Sequence, residues 1–274
     1  MLFNKALFSV WSLILLFAVT QQATAKDDYD RLLDLSAVTQ QIQQIPSVFQ
    51  AAIQESYSQN PVLPYSSVEK LIKSTQEAFV AKEIQSIVKT EIGQKVSKQD
   101  IKELFKWYES DLAKKISREE AAGSTPQAYE EISINGHTLL NDKEKVAFAQ
   151  RVDRLIEATE FNMALQEYTA LATLSSLMAA TRPNQQMDMP GLKAMIKTQI
   201  QQARPQVEQQ LILNNVYSYR NLDMKELAKY EAFLSTPSAK TFHKAMMEGM
   251  KKAMESAITK WASILPTAIQ SGQQ

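Results

Sequence analysis

From Asp27 onward the apolar positions recur three and four residues apart rather than alternately. Leu32, Leu33, Leu35, Val38, Ile42 and Ile45 share one helical face, with Pro46 inside the pattern as a predicted kink or break. After Asn60–Pro64, Ser66 and Glu69 have capping-box spacing and open a second predicted helix that runs to about Gly93. Ser97 and Asp100 open a third through Leu104, Trp107 and Tyr108, and Ser110 caps a fourth or marks a bend. Farther on, Asn141 and Glu144 open a long helix from about Asp142 to Ala180, which Thr181-Arg182-Pro183-Asn184 breaks. Another spans about Pro190 to Tyr219, with Pro205 as a predicted kink. Asp223 to Glu226 is the clearest capping box, and Thr236-Pro237 starts the last helix. With no strand-like alternation between hairpin turns, the pattern is all-α.

The chain also repeats itself. Asp30-Arg31-Leu32-Leu33-Asp34-Leu35-Ser36 returns as Asp153-Arg154-Leu155-Ile156-Glu157-Ala158-Thr159, 123 positions later. Trp107 to Lys114 matches Phe233 to Lys240 at a spacing of 126, and Ser97 and Asp100 match Asp223 and Glu226 at the same spacing. Two blocks in the same order imply a tandem duplication of a helical unit, with three to four helices in each copy, the copies either sharing one core or sitting in tandem. The predicted division is a signal peptide over residues 1–25, a first unit over 26–122, a linker over 123–141 and a second unit over 142–274. The linker holds Gly123-Ser124-Thr125-Pro126 and Asn135-Gly136-His137, which predict a partly irregular segment.

The repeated block Asp223–Lys240, with its looser partner Ser97–Lys114, resembles a family of bacterial exported domains of unknown function, numbered 2059. The family's pattern is an acidic residue, an aromatic seven positions on, then a Ser/Thr-Pro-x-Gly/Ala-x-Lys turn. Here it reads Glu226, Phe233 and Thr236-Pro237-Ser238-Ala239-Lys240, and in the first copy Asp100, Trp107 and Ser110-Asp111-Leu112-Ala113-Lys114. Both copies reach the lysine one residue early, and Asp111 replaces the proline in the first. The resemblance implies a helical exported domain and brings no catalytic residue with it.

Composition sharpens the setting. Lys5, the apolar run Ala6–Val19 and Ala23-Thr24-Ala25 read as a secretory signal, which predicts a periplasmic or secreted chain starting at Lys26. Its loss removes one lysine from 30 basic residues balanced against 30 acidic ones, so the mature chain carries a net charge of −1. That balance argues against a nucleic-acid partner, and after cleavage the chain is expected not to be an integral membrane protein. With no cysteine, no disulfide contributes, and the fold rests on apolar packing.

Candidate chemistry is sparse. There are two histidines, His137 and His243, and no HExxH, GxSxG or glycine-rich phosphate loop, which predicts a non-enzymatic protein without a cofactor. Methionine is distributed unevenly: ten of the eleven methionines lie beyond residue 142, and the other is Met1. His243, Met246, Met250 and Met254 line one helical face, and Met187, Met189 and Met195 form a second group. Thioethers with an imidazole suit Cu(I) in an oxidising compartment. The same face also suits a buried core or an adaptable groove for an apolar ligand or partner helix. Met163–Ala180, with Leu165, Leu171, Leu174 and Leu177, reads as a central buried helix against which that face packs, and Trp107, Tyr108 and Trp261 read as core anchors. The expected role is an interaction module for an envelope protein, with a Cu(I) or apolar-ligand carrier as the alternative.

Overall fold

A computed structural model describes residues 27–59, 65–181 and 188–270, so the segment read as a secretory signal, Asn60–Pro64, Arg182–Met187 and residues 271–274 lie outside the described residues. The described chain is helical, with no strand among the described residues. The first series is α1 (Asp28–Leu35), α2 (Val38–Gln59), α3 (Tyr65–Ala78), α4 (Ala81–Lys95), α5 (Lys98–Tyr108) and α6 (Asp111–Ala122). Helix α7 (Pro126–Leu139) follows. The second series is α8 (Lys143–Ile156), α9 (Ala158–Thr181), α10 (Met189–Gln202), α11 (Arg204–Ser218), α12 (Met224–Leu234) and α13 (Pro237–Gln270).

Each series therefore holds more helices than the periodicity predicts, because several joints are too tight to disturb the apolar spacing. Ala37 (φ 60°) separates α1 from α2, and Glu157 (φ 52°) separates α8 from α9. A single left-handed residue redirects a helix without any glycine or proline to announce it. Both joints are braced alike: Thr39 Oγ1 donates to Asp34 Oδ1 at 2.7 Å, and Thr159 Oγ1 donates to Asp153 Oδ1 at 2.9 Å.

Other boundaries move for local reasons. Helix α2 runs through Pro46, whereas Pro205 sits in the first turn of α11, where its missing N–H is no loss. The cap of α8 is Asp142, which accepts from the Lys145 amide, one residue beyond the predicted Asn141. Ser66 lies inside α3 rather than before it. The predicted irregular linker is mostly α7, capped by Thr125 with Pro126 in its first turn, and Gly136 and His137 are helical. The capping boxes Ser97/Asp100 and Asp223/Glu226 both form as read.

Three helices of the first series have the lengths of three in the second. Helices α3 and α10 each have 14 residues, α4 and α11 each 15, and α5 and α12 each 11. Their packing matches too: α2 lies on α3 and α4 as α9 lies on α10 and α11, and α1 touches α4 and α5 as α8 touches α11 and α12. The sixth helices cross over. Helix α13 leaves its own series to lie along α3 and α4, and α6 packs on α11. Each crossing helix also reaches a capping-box acid: Ser238 Oγ donates to Asp100 at 2.7 Å, and Lys115 Nζ to Glu226 at 2.6 Å.

Two glycines mark the crossings. A Cβ on Gly249 of α13 would lie 2.9 Å from the Val88 Cα of α4, and one on Gly123, just after α6, would lie 2.9 Å from the Ser218 Cβ of α11. Where the series meet, Trp107 stacks on Phe233 with centroids 4.4 Å apart and planes 7° apart. These two residues lie 126 positions apart in the chain.

One main core joins both series, from Leu32, Phe49, Phe79 and Val88 through Phe148 and Leu165 to Phe242, Met254 and Trp261. Helix α9 packs against α13. Its other side forms a smaller cluster with α10 and α11 around Met163, Leu171, Ile196, Ile200 and Val207. Among the described residues no helix is long and apolar enough to cross a membrane.

Candidate functional site

The methionine face of α13 falls mostly inside the protein. Met250 and Met254 belong to the main core, Met247 is also buried, and Met246 is half-buried against that core. This happens because α13 is wedged between α3 and α4 on one side and α9 on another, so it buries more than one stripe. Trp261 continues the buried stripe and donates from Nε1 to the buried Ser74 Oγ at 2.7 Å. Thus Met250 and Met254 do a core residue's work, filling space between helices from both series.

His243 sits one turn before Met246 and Met247. Its Nε2 is buried and has no hydrogen-bond partner, and burial lowers the imidazole pKa to about 4, which keeps it neutral near pH 7. Among the described residues no group of three or more His, Cys, Asp or Glu is arranged to hold a metal ion. His137 lies in the last turn of α7, apart from this region of α13.

The cavity nearest the methionines is apolar, lined by Ile45, Phe49, Phe161, Leu165 and Met250 among others. Its room, about 10 Å³, is near the minimum for one water molecule. A second depression is an open trough along Lys252, Glu255, Ser256, Thr259, Lys260 and Ser263 of α13. Two of its lysines are already paired across to α4, Lys252 with Glu91 and Lys260 with Glu83.

A polar cluster stands where the first series meets the second. Glu120 of α6 is buried, and its Oε1 accepts from the Tyr219 hydroxyl at 2.7 Å and from the Tyr230 hydroxyl at 3.2 Å. Burial pushes its carboxyl up to about 7, with the two hydroxyl bonds opposing the rise. Burial likewise raises Tyr108, Tyr219 and Tyr230 above the usual phenol range, with the Glu120 charge adding to it. The sequence carries a signal for Glu120, because Ala113, Ile116 and Glu120 share the buried stripe of α6. Composition alone groups it with the solvated acids. The arrangement is enclosed and self-satisfied, so it serves as a polar key between the two series rather than an open acid.

A second buried acid, Glu91 of α4, is held by Lys252 from α13 and by Lys95 from its own helix. The bond from Lys252, then that from Lys95, lowers its pKa. Lys95 also pairs with Glu248, so the α4–α13 crossing is stapled on both sides of Gly249.

The other feature missed by the sequence is on the outside. Met189 and Met195 of α10 are 37% and 48% exposed, and Ile134 of α7 is 63% exposed. Leu71, the α3 residue at the position of Met195, is only 5% exposed because α13 covers it. The methionines predicted as a second cluster therefore lie on an open helical face, with Met187 outside the described residues. No protein-family model, curated protein or solved structure matches the chain.

Proposed function

We propose that this chain is an exported, internally duplicated helical scaffold whose two units have exchanged their last helices, and that it works by binding another protein. Duplication is supported by the matched lengths of three helix pairs and by the stacking of Trp107 on Phe233. The resemblance to the exported domain family and the signal-like residues 1–25 support export to the periplasm or beyond. The observation that carries the binding reading is the contrast at one matched position of α3 and α10: Leu71 is 5% exposed, whereas Met195 is 48% exposed. An apolar side chain left open where its counterpart is covered is a candidate contact for a partner protein.

The mature chain, immobilised and exposed to envelope extract with cross-linking, should retain a partner in fixed stoichiometry. Retention of nothing above the level of a denatured control argues against this reading. A second reading, a soft-metal site, rests on the unpaired Nε2 of His243 with Met246 and Met247 on the next turn. Anaerobic Cu(I) titration should then show one site that His243→Leu removes; equal, weak uptake by both proteins dismisses it.

A further inference from the structure

The two helix crossings each bury a carboxyl, and they treat it differently. Where α13 crosses α4, Glu91 is paired with Lys252 and Lys95, so its charge is neutralised where it sits. Where α6 meets the second series, Glu120 finds phenols instead. Its Oε1 accepts from the hydroxyl of Tyr219, just after α11, at 2.7 Å and from that of Tyr230 of α12 at 3.2 Å. Tyr108 of α5 also faces it: burial, then the Glu120 charge, raises that phenol's pKa. Among the described residues no cation pairs with Glu120.

A protonated Glu120 suits these surroundings, because a neutral carboxyl still accepts both bonds. An ionised one leaves a charge buried without a cation, which the closed interface opposes. Burial pushes the carboxyl up to about 7 against the pull of the two hydroxyl bonds. The closed joint therefore keeps a proton that an opened, hydrated Glu120 gives up to solvent. Contact is tightest below the ordinary carboxylate value of 4.5 and loosens as pH rises through about 7.

Helix α6 is also the lighter of the two crossing helices. It has 12 residues and buries Ala113, Ile116, Glu120 and Ala121, whereas α13 has 34 and is wedged among α3, α4 and α9. Elements with few buried contacts open first. The other polar ties of α6 to the second series are Lys115 to Glu226 and Asn221 to Glu119. The Lys115 bond lowers the Glu226 pKa, so that pair stays charged through neutrality and does not offset the change at Glu120.

We infer that α6 is a pH-sensitive latch between the two series: protonation of Glu120 closes it on Tyr219 and Tyr230, and loss of that proton lets it open while α13 keeps the main core together. The latch requires neither the duplication nor a partner protein.

The chain has no cysteine, so single introduced thiols report opening without background. Ala121→Cys and Ala113→Cys each place one on the buried stripe of α6, and Ala253→Cys places one on the buried part of α13. The labelling rate of each full-length variant is divided, at each pH, by its rate when unfolded in urea, which removes the thiol's own ionisation. Between about pH 5.5 and 8.5 the ratio at the α6 positions should rise by roughly 30-fold. It should exceed the ratio for Ala253→Cys throughout. Adding Glu120→Gln, which keeps the shape and an acceptor oxygen, should make the α6 ratio independent of pH. A flat ratio at both α6 positions overturns the latch, as does a rise that survives Glu120→Gln. Equal ratios on α6 and α13 mean that the fold opens as a whole, and overturn it too.

Discussion

Gly249→Ala is the sharpest test of the helix exchange. The new Cβ would stand 2.9 Å from the Val88 Cα, 3.2 Å from the Glu91 Cβ and 3.4 Å from the Val88 carbonyl oxygen. Two of these three atoms are backbone, so no rotamer change relieves the contact and α13 must move away from α4. Overpacking of this kind costs roughly 1–3 kcal/mol, and a backbone obstacle puts it at the upper end. Against it stands about 1 kcal/mol of helix propensity that alanine gains over glycine. The expected net loss is therefore about 2 kcal/mol, a fall in Tm of roughly 4–8 °C for a chain of this size. Gly93→Ala in α4 is the control: its Cβ would meet only Tyr29 ring atoms, at 3.9 and 4.0 Å. There the propensity gain stands alone, and Tm should rise by about 1–4 °C. Both variants are read by urea and thermal unfolding followed by circular dichroism. If Gly249→Ala stabilises as Gly93→Ala does, α13 does not cross α4 at this distance and the exchanged arrangement is wrong.

Three further outcomes follow from the same contacts. Glu120, with its pKa raised to about 7, gives stability that is full below pH 4.5 and lost as pH rises toward 7; His243, lowered to about 4, gives stability present above pH 6.5 and lost toward pH 4. Each spans roughly 3 kcal/mol, so Glu120→Gln should leave a profile that climbs from pH 4 to 6.5 and His243→Leu one that falls from pH 4.5 to 7; two unchanged profiles would refute both assignments. A double-mutant cycle of Trp107→Ala and Phe233→Ala should give a coupling of about 0.5–1.5 kcal/mol in denaturant unfolding, and additive losses would mean that the stack is not formed. Ala37→Gly should raise stability by about 0.5–1 kcal/mol by relieving the left-handed backbone at φ 60°, whereas a loss would place Ala37 in ordinary helical geometry.

Much of the local structure is legible from short-range chemistry. A capping box depends on two residues three apart, so Ser97/Asp100 and Asp223/Glu226 are read correctly without any tertiary knowledge. Proline is ambiguous: Pro205 starts a helix while Pro46 sits within one, and the residue type is the same in both. The joints at Ala37 and Glu157 are invisible, since neither residue type advertises a positive φ. The candidate site divides in the same way. The sequence places His243, Met246, Met250 and Met254 on one helical face, but the sealing of Met250 and Met254 comes from helices far away in the chain. Glu120 is on an apolar stripe of α6, yet its partners Tyr219 and Tyr230 are about a hundred residues distant.

By itself, then, the sequence determined the helical class and most helix starts. Each depends on side-chain periodicity or on hydrogen bonds within a turn, which neighbouring residues specify. Only the tertiary structure decided which unit receives α13, why Gly249 must lack a Cβ, and why Met195 faces water while Leu71 does not. Those outcomes turn on which helix covers which, and burial is a property of the partner helix as much as of the residue being buried.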